Sequence, residues 1–123
     1  MTTALATRRP RSPLRMSEAD LLAVVIELAQ RLGWLVAHQR PAMTRRGWRT
    51  AIQGDAGFPD LILVRGATDR LPSSLLAVEL KSDRGKTTAE QDEWLRVLGI
   101  CGARSMVWRP SDWASGEIER WLR

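Results

Sequence analysis

The sequence predicts a mixed α/β domain in which a central sheet is flanked by helices, and three observations predict it. Apolar residues recur at helical spacing behind two capping residues: Leu21, Val25, Leu28 and Leu32 after Ser17, and Trp94, Leu95 and Leu98 after Thr88. Short apolar runs bounded by turn formers, Asp60 to Val64 and Leu75 to Leu80, have the length and flanks of buried strands. The two kinds of segment follow one another in the order helix, strand, loop, strand, strand, helix, strand, helix, with no internal repeat.

Each element has its own justification. Residues 1 to about 15 are rich in Thr, Arg and Pro without periodicity and read as a flexible basic arm, leaving 16–123 as a single domain. Ser17 is an N-cap with Asp20 at the capping-box position and Glu18 beside the positive helix end, and Gly33 closes that helix. Trp34 to His38 is a short strand. Residues 39–58 carry Pro, Gly, Thr and Arg with no apolar period, which predicts a long loop or a loop with a short hairpin around Trp48; loops of that length in small domains are usually functional. Two strands follow, Asp60 to Val64 after Gly57 and Pro59, and Leu75 to Leu80 after Pro72 and Ser73. Thr88 with Gln91 forms a second capping box, and Gly99 and Gly102 close the second helix. Ser105 to Trp108 is a further strand, and Pro110-Ser111-Asp112 launches one last helix carrying Trp113, Ile118, Trp121 and Leu122.

Composition narrows the classes of function. With 123 residues, 44% hydrophobic, the chain has room for one core of ordinary size. Its longest apolar run, Leu21 to Ile26, is closed at once by Glu27, far short of the roughly 20 residues of a membrane span, and no apolar stretch follows the basic start as a secretory signal would need. The lone Cys101 can make no internal disulfide and is expected as a buried thiol in a reducing, intracellular setting; one Cys and one His exclude a structural zinc site. The net charge of +5 comes from 19 Lys and Arg against 14 Asp and Glu. The excess is clustered, in Arg8, Arg9, Arg11 and Arg15 and again in Arg40, Arg45, Arg46 and Arg49. That pattern fits either a nucleic-acid partner or a merely solvated surface.

The chemistry is carried by three charged residues that ordinary folding does not explain. Glu79 and Lys81 end an otherwise apolar strand and, two apart, point to one face, with Leu76, Val78 and Leu80 on the other. Such an ion pair on a core strand is costly unless something compensates it. Asp60 poses the same problem at the start of its own strand. If the two strands are neighbours, both carboxylates converge with the ammonium alongside, a set suited to phosphodiester hydrolysis: the acids hold a hard divalent cation, and the lysine orients water and offsets charge on the phosphate. The plain alternatives are a turn Asp after Pro59 and a solvated edge-strand salt bridge, against which the apolar run Leu75 to Val78 argues.

Gly57-Phe58-Pro59-Asp60-Leu61, then Val78-Glu79-Leu80-Lys81, then Thr88-Ala89-Glu90-Gln91 resembles the virus-type replication-repair nuclease (VRR-NUC) domain of the PD-(D/E)XK superfamily, over roughly Ser17 to Trp113. The resemblance implies a restriction-endonuclease-like core of helix-strand-strand-strand-helix-strand. It implies Asp60, Glu79 and the Leu80 carbonyl as ligands of magnesium or manganese, and Lys81 as the catalytic lysine. Glu18 would complete the acidic cluster, unless it serves only the helix dipole, with Glu27 as a substitute. Gln91 would stand at the site edge as well as capping its helix. The implied activity is that of a metal-dependent endonuclease cutting DNA, with branched or Holliday-junction DNA as the candidate structure-selective substrate, by a homodimer; the competing reading is a catalytically silent nucleic-acid-binding module of the same fold. Arg40, Arg45, Arg46 and Arg49 would grip the phosphate backbone while Trp48 stacks on a base, and Arg84 and Lys86 would add phosphate contacts or form an ordinary solvated turn. His38 is either a phosphate contact or a structural histidine. The other five tryptophans are core or dimer contacts.

Overall fold

Both long helices begin where a short polar side chain satisfies the first free amides. In α1 (Glu18–Arg31) Ser17 accepts from the Asp20 N–H while Asp20 accepts from the Ser17 N–H. In α2 (Ala89–Ile100) Thr88 and Gln91 do the same. Two capping boxes read from sequence are therefore present. The computed structural model describes residues 16–39, 41–44, 47–50 and 53–123, with only the backbone described for 41–44 and 47–50. The predicted basic arm and Arg40, Arg45 and Arg46 lie outside the described residues.

The strands are β1 (Leu35–His38), β2 (Pro41–Thr44), β3 (Gly47–Thr50), β4 (Leu61–Arg65), β5 (Ser74–Leu80) and β6 (Arg104–Trp108). Four of them form a mixed sheet in the order β1-β4-β5-β6. β4 runs antiparallel to β1 and β5, and β6 runs parallel to β5 with α2 as the crossover that a parallel connection requires. β2 and β3 form a separate antiparallel hairpin with Met43 opposite Trp48, so the hairpin form of the predicted loop is the one adopted.

One sheet face carries the core. Leu61, Leu63, Leu76, Val78, Leu80 and Trp108 meet Leu21, Val25 and Ala29 of α1 and the last helical turns at Ile118 and Leu122. Each such side chain contributes on the order of 2 kcal/mol by burial. The chain end is tied into this layer: Trp34 Nε1 and Arg65 Nη1 both donate to the Leu122 carbonyl, at 2.8 and 2.9 Å, and the Arg65 guanidinium lies 4.2 Å from the Trp34 ring centroid. On the opposite face α2 packs over β5 and β6 with Leu95 inward.

Two expectations need correction. The last helix is two, α3 (Pro110–Ala114) and α4 (Glu117–Leu122), because Gly116 takes a left-handed φ of +82° that ends one helix and starts the next. Cys101 is exposed, since it is the C-cap of α2, where the chain turns outward before β6. Among the described residues no helix is long and apolar enough to cross a membrane.

Candidate active site

The antiparallel register of β4 and β5 pairs Leu61 with Val78, which brings Asp60, one residue earlier, opposite Glu79, one residue later. Directly opposed residues point to the same side of a sheet, so the two carboxyls meet. Asp60 Oδ2 accepts from the Leu80 N–H at 2.8 Å, and the Asp60 carboxyl acts on that of Glu79 through its charge. The Asp60 carbonyl in turn accepts from the Gln39 N–H at 3.1 Å, which anchors this residue to the strand on its other side.

Gly57 sets the approach to this corner. Its φ is +99°, and a Cβ there would stand 2.6 Å from the backbone carbon of Glu90 in α2, so no side chain fits. Phe58 packs edge-on against Trp94, with ring centroids 5.1 Å apart, and Trp94 Nε1 donates to the Ala56 carbonyl at 3.0 Å. The segment before Asp60 is thereby docked on the first turns of α2. Trp94 is a clamp for that segment, a role its place in the helical pattern did not reveal.

Glu79 is 2% exposed, the one buried charged residue among the described residues. Its Oε1 accepts from Gln91 Nε2 at 3.1 Å, while its Oε2 is buried with no hydrogen-bond partner. Burial first, then the adjoining Asp60 carboxyl and the more distant charge of Glu18, push its carboxyl up to about 9, with Lys81 pulling the other way. Gln91 makes two bonds at once: its amide oxygen caps α2 and its amide nitrogen donates to Glu79.

Glu18 sits at the start of α1, where burial and the charge of Asp60 raise its carboxyl pKa and Lys81 lowers it. Glu27 pairs instead with Arg31 at 3.2 Å on the solvated side of α1, so Glu18 is the acid brought near the site. It does not join as a third side-chain ligand: among the described residues no three His, Cys, Asp or Glu side chains converge as a metal-binding group. Lys81 follows β5 directly, its N–H donating to the Trp108 carbonyl at 3.1 Å. The expected tight ion pair with Glu79 is not among the salt bridges of the described residues; Lys81 acts on both glutamates through its charge across a gap. Arg84 and Lys86 are exposed beyond it, and His38 lies opposite Leu61, on the core side of the sheet. The side chains of Trp48 and Arg49 lie outside what the structure describes.

Two acids meeting at a buried, unpartnered oxygen need a cation or a proton between them. Asp60, Glu79 and the peptide of Leu80 offer hard oxygen donors, which suits a divalent ion such as magnesium.

Comparison with known proteins gives a match to the model of the VRR-NUC domain over residues 18–112. A solved structure described as a VRR_NUC domain protein shares this fold with a TM-score of 0.57, at 24% sequence identity, covering 86% of this chain and 88% of that one. Curated proteins give no significant match.

Proposed function

Since the chain belongs to the VRR-NUC domain family, a nuclease-type family, we propose that it is a metal-dependent endonuclease that hydrolyses DNA phosphodiester bonds. The observation that carries this reading is the Glu79 carboxyl, buried beside Asp60 with its Oε2 lacking a hydrogen-bond partner. Arg65 Nε, Asp83 Oδ2 and Trp108 Nε1 are likewise buried without a partner, but of these four atoms only Glu79 Oε2 belongs to a carboxyl beside a second carboxyl, where a cation would supply the missing partner.

In this reading Asp60 and Glu79, with the Leu80 carbonyl, hold magnesium or manganese. The bound ion supplies Lewis-acid polarisation of the scissile phosphate and neutralises its charge. The chain's own groups do the rest. The Leu80 N–H fixes Asp60 through its Oδ2. Gln91 fixes Glu79 through Oε1 and leaves Oε2 for the ion. Lys81, separated from both carboxylates, has room to orient the attacking water and to offset the charge that grows on the phosphate. Glu18 adds negative potential at the mouth of the site. Arg84 and Lys86, exposed just past Lys81, would add phosphate contacts.

A homodimer belongs to the same proposal. Supporting it, Leu35, Val64 and Leu75 form a row across three strands on the face opposite the core, with Leu35 73% and Leu75 42% exposed. Sedimentation of the purified protein tests it, with Leu35→Glu expected to yield monomer.

The activity is tested with linear duplex, single-stranded, flap and four-way-junction DNA in magnesium, manganese or chelator, beside Lys81→Ala. Metal-dependent cutting that vanishes in the variant is expected. Binding without cutting in either metal would leave a silent nucleic-acid-binding module.

A further inference from the structure

The turn that follows Lys81 is bolted down from outside the site. Arg109 leaves the end of β6, and its Nη1 donates both to the Ser82 carbonyl at 2.7 Å and to the Gly85 carbonyl at 2.6 Å. Asp83, between them, accepts from the Ser111 N–H at 3.0 Å. Within the turn, the Gly85 N–H donates to Ser82 Oγ at 3.0 Å. The arch from Ser82 to Gly85 is therefore fixed to the β6–α3 junction at three points and closed on itself. Its inner side lies along the stem of Lys81: a Cβ on Gly85 would be 3.6 Å from Lys81 Cδ and 3.0 Å from Ser82 Oγ.

We propose that Arg109 is a positioning residue for Lys81, acting through the Gly85 backbone to confine the lysine stem so that its ammonium faces the Asp60–Glu79 corner. A lysine side chain has several rotamers to lose when it is held in one direction. Lys81 has no short ion pair among the described salt bridges to hold it, so its direction must come from packing. A guanidinium spanning two carbonyls supplies that packing without entering the site. Both bonds leave one nitrogen, so a lysine amine, with three donors, can restore them in part. The proposal rests on the nuclease reading for its kinetic consequence, but not for the confinement itself.

The experiment compares the full chain as wild type, Arg109→Met, Arg109→Lys and Gly85→Ala. The last leaves Arg109 in place and crowds Ser82 from inside the arch, and Gly85 does not use the left-handed backbone that would penalise alanine. Two readouts are taken on each: kcat and KM for DNA cleavage, and the Lys81 side-chain NMR signal, assigned through Lys81→Ala, in metal-free protein. Expected is a 10- to 100-fold fall in kcat with KM within about threefold for Arg109→Met, most of it recovered in Arg109→Lys, and an intermediate fall for Gly85→Ala. The Lys81 signal should shift and sharpen toward that of a free side chain in Arg109→Met, shift from its wild-type position in Gly85→Ala, and stay near wild type in Arg109→Lys. An unmoved Lys81 signal, or a rise in KM at constant kcat, overturns the proposal. If wild type cuts no DNA, the nuclease reading fails, and the NMR comparison alone still decides whether Arg109 confines Lys81. Should Arg109→Met not fold, Gly85→Ala and Arg109→Lys carry the same decision.

Discussion

The two faces of β5 obey different rules. On one, Leu76, Val78 and Leu80 are buried among other apolar side chains and every contact serves cohesion. On the other, two residues beyond Ala77, Glu79 is just as buried but holds one carboxylate oxygen without a donor and a second carboxyl beside it. The first face would be improved by nothing polar; the second keeps a charge that folding alone would discard. A strand seven residues long thus separates stability from chemistry by alternation, with Leu80 joining them through an apolar side chain in the core and an N–H on Asp60.

That separation can be broken deliberately. Asp60→Asn or Lys81→Ala should lower DNA cleavage on the order of 10³-fold while leaving the melting temperature within a few degrees. A parallel collapse of stability would mean that these residues belong to the core after all. Leu63→Ala does the reverse. It should cost about 2–5 kcal/mol in urea unfolding, with kcat of the folded fraction nearly unchanged.

Glu79 sharpens the contrast through pH. Its carboxyl is pushed up to about 9, mainly by burial and by Asp60, from an ordinary value of 4.5. A carboxyl harder to ionise folded than unfolded lends its stability in full below 4.5 and loses it as pH climbs toward about 9. Metal-free protein should therefore melt at progressively lower temperature from pH 5 to 9, and Glu79→Gln should flatten that slope while abolishing activity. A wild-type melting temperature that rises through this range contradicts the site as drawn. Magnesium, replacing the proton, should raise the melting temperature most at the alkaline end.

The smallest effect belongs to Gln91→Ala. It removes both the cap oxygen and the donor to Glu79, so about 1 kcal/mol of stability and roughly 10-fold in divalent-ion affinity are expected to go together. Gln91→Glu keeps the cap but offers Glu79 a like charge in place of a donor. It should preserve helix content and still weaken metal binding.

Much of this was legible in the chain. Ser17 with Asp20 and Thr88 with Gln91 mark helix starts by local hydrogen-bond chemistry, which needs no tertiary partner to read. The apolar runs that begin at Asp60 and end in Glu79-x-Lys81 mark strands with misplaced charge, and misplaced charge draws attention to itself. Cys101 and the final helix were misjudged for a local reason: a lone apolar neighbourhood says little about exposure at a helix end, and Gly116 splits the helix by a backbone angle that the pattern of Trp113, Ile118 and Trp121 masks. Arg109, Asp83 and the clamp by Trp94 on Ala56 left no signal, because each works through a backbone partner far away in sequence whose side chain is irrelevant.

The sequence by itself determined which segments are helix and strand and which three residues carry unexplained charge, since propensity, capping and alternation act over a few neighbouring residues. Only the tertiary structure decided that Leu61 registers with Val78, that Glu18 rather than Glu27 stands near the carboxylates, and that the turn after Lys81 is tied to Arg109. Strand register and side-chain confinement are set by packing between elements, and a one-residue slip would have sent Asp60 and Glu79 to opposite faces of the sheet.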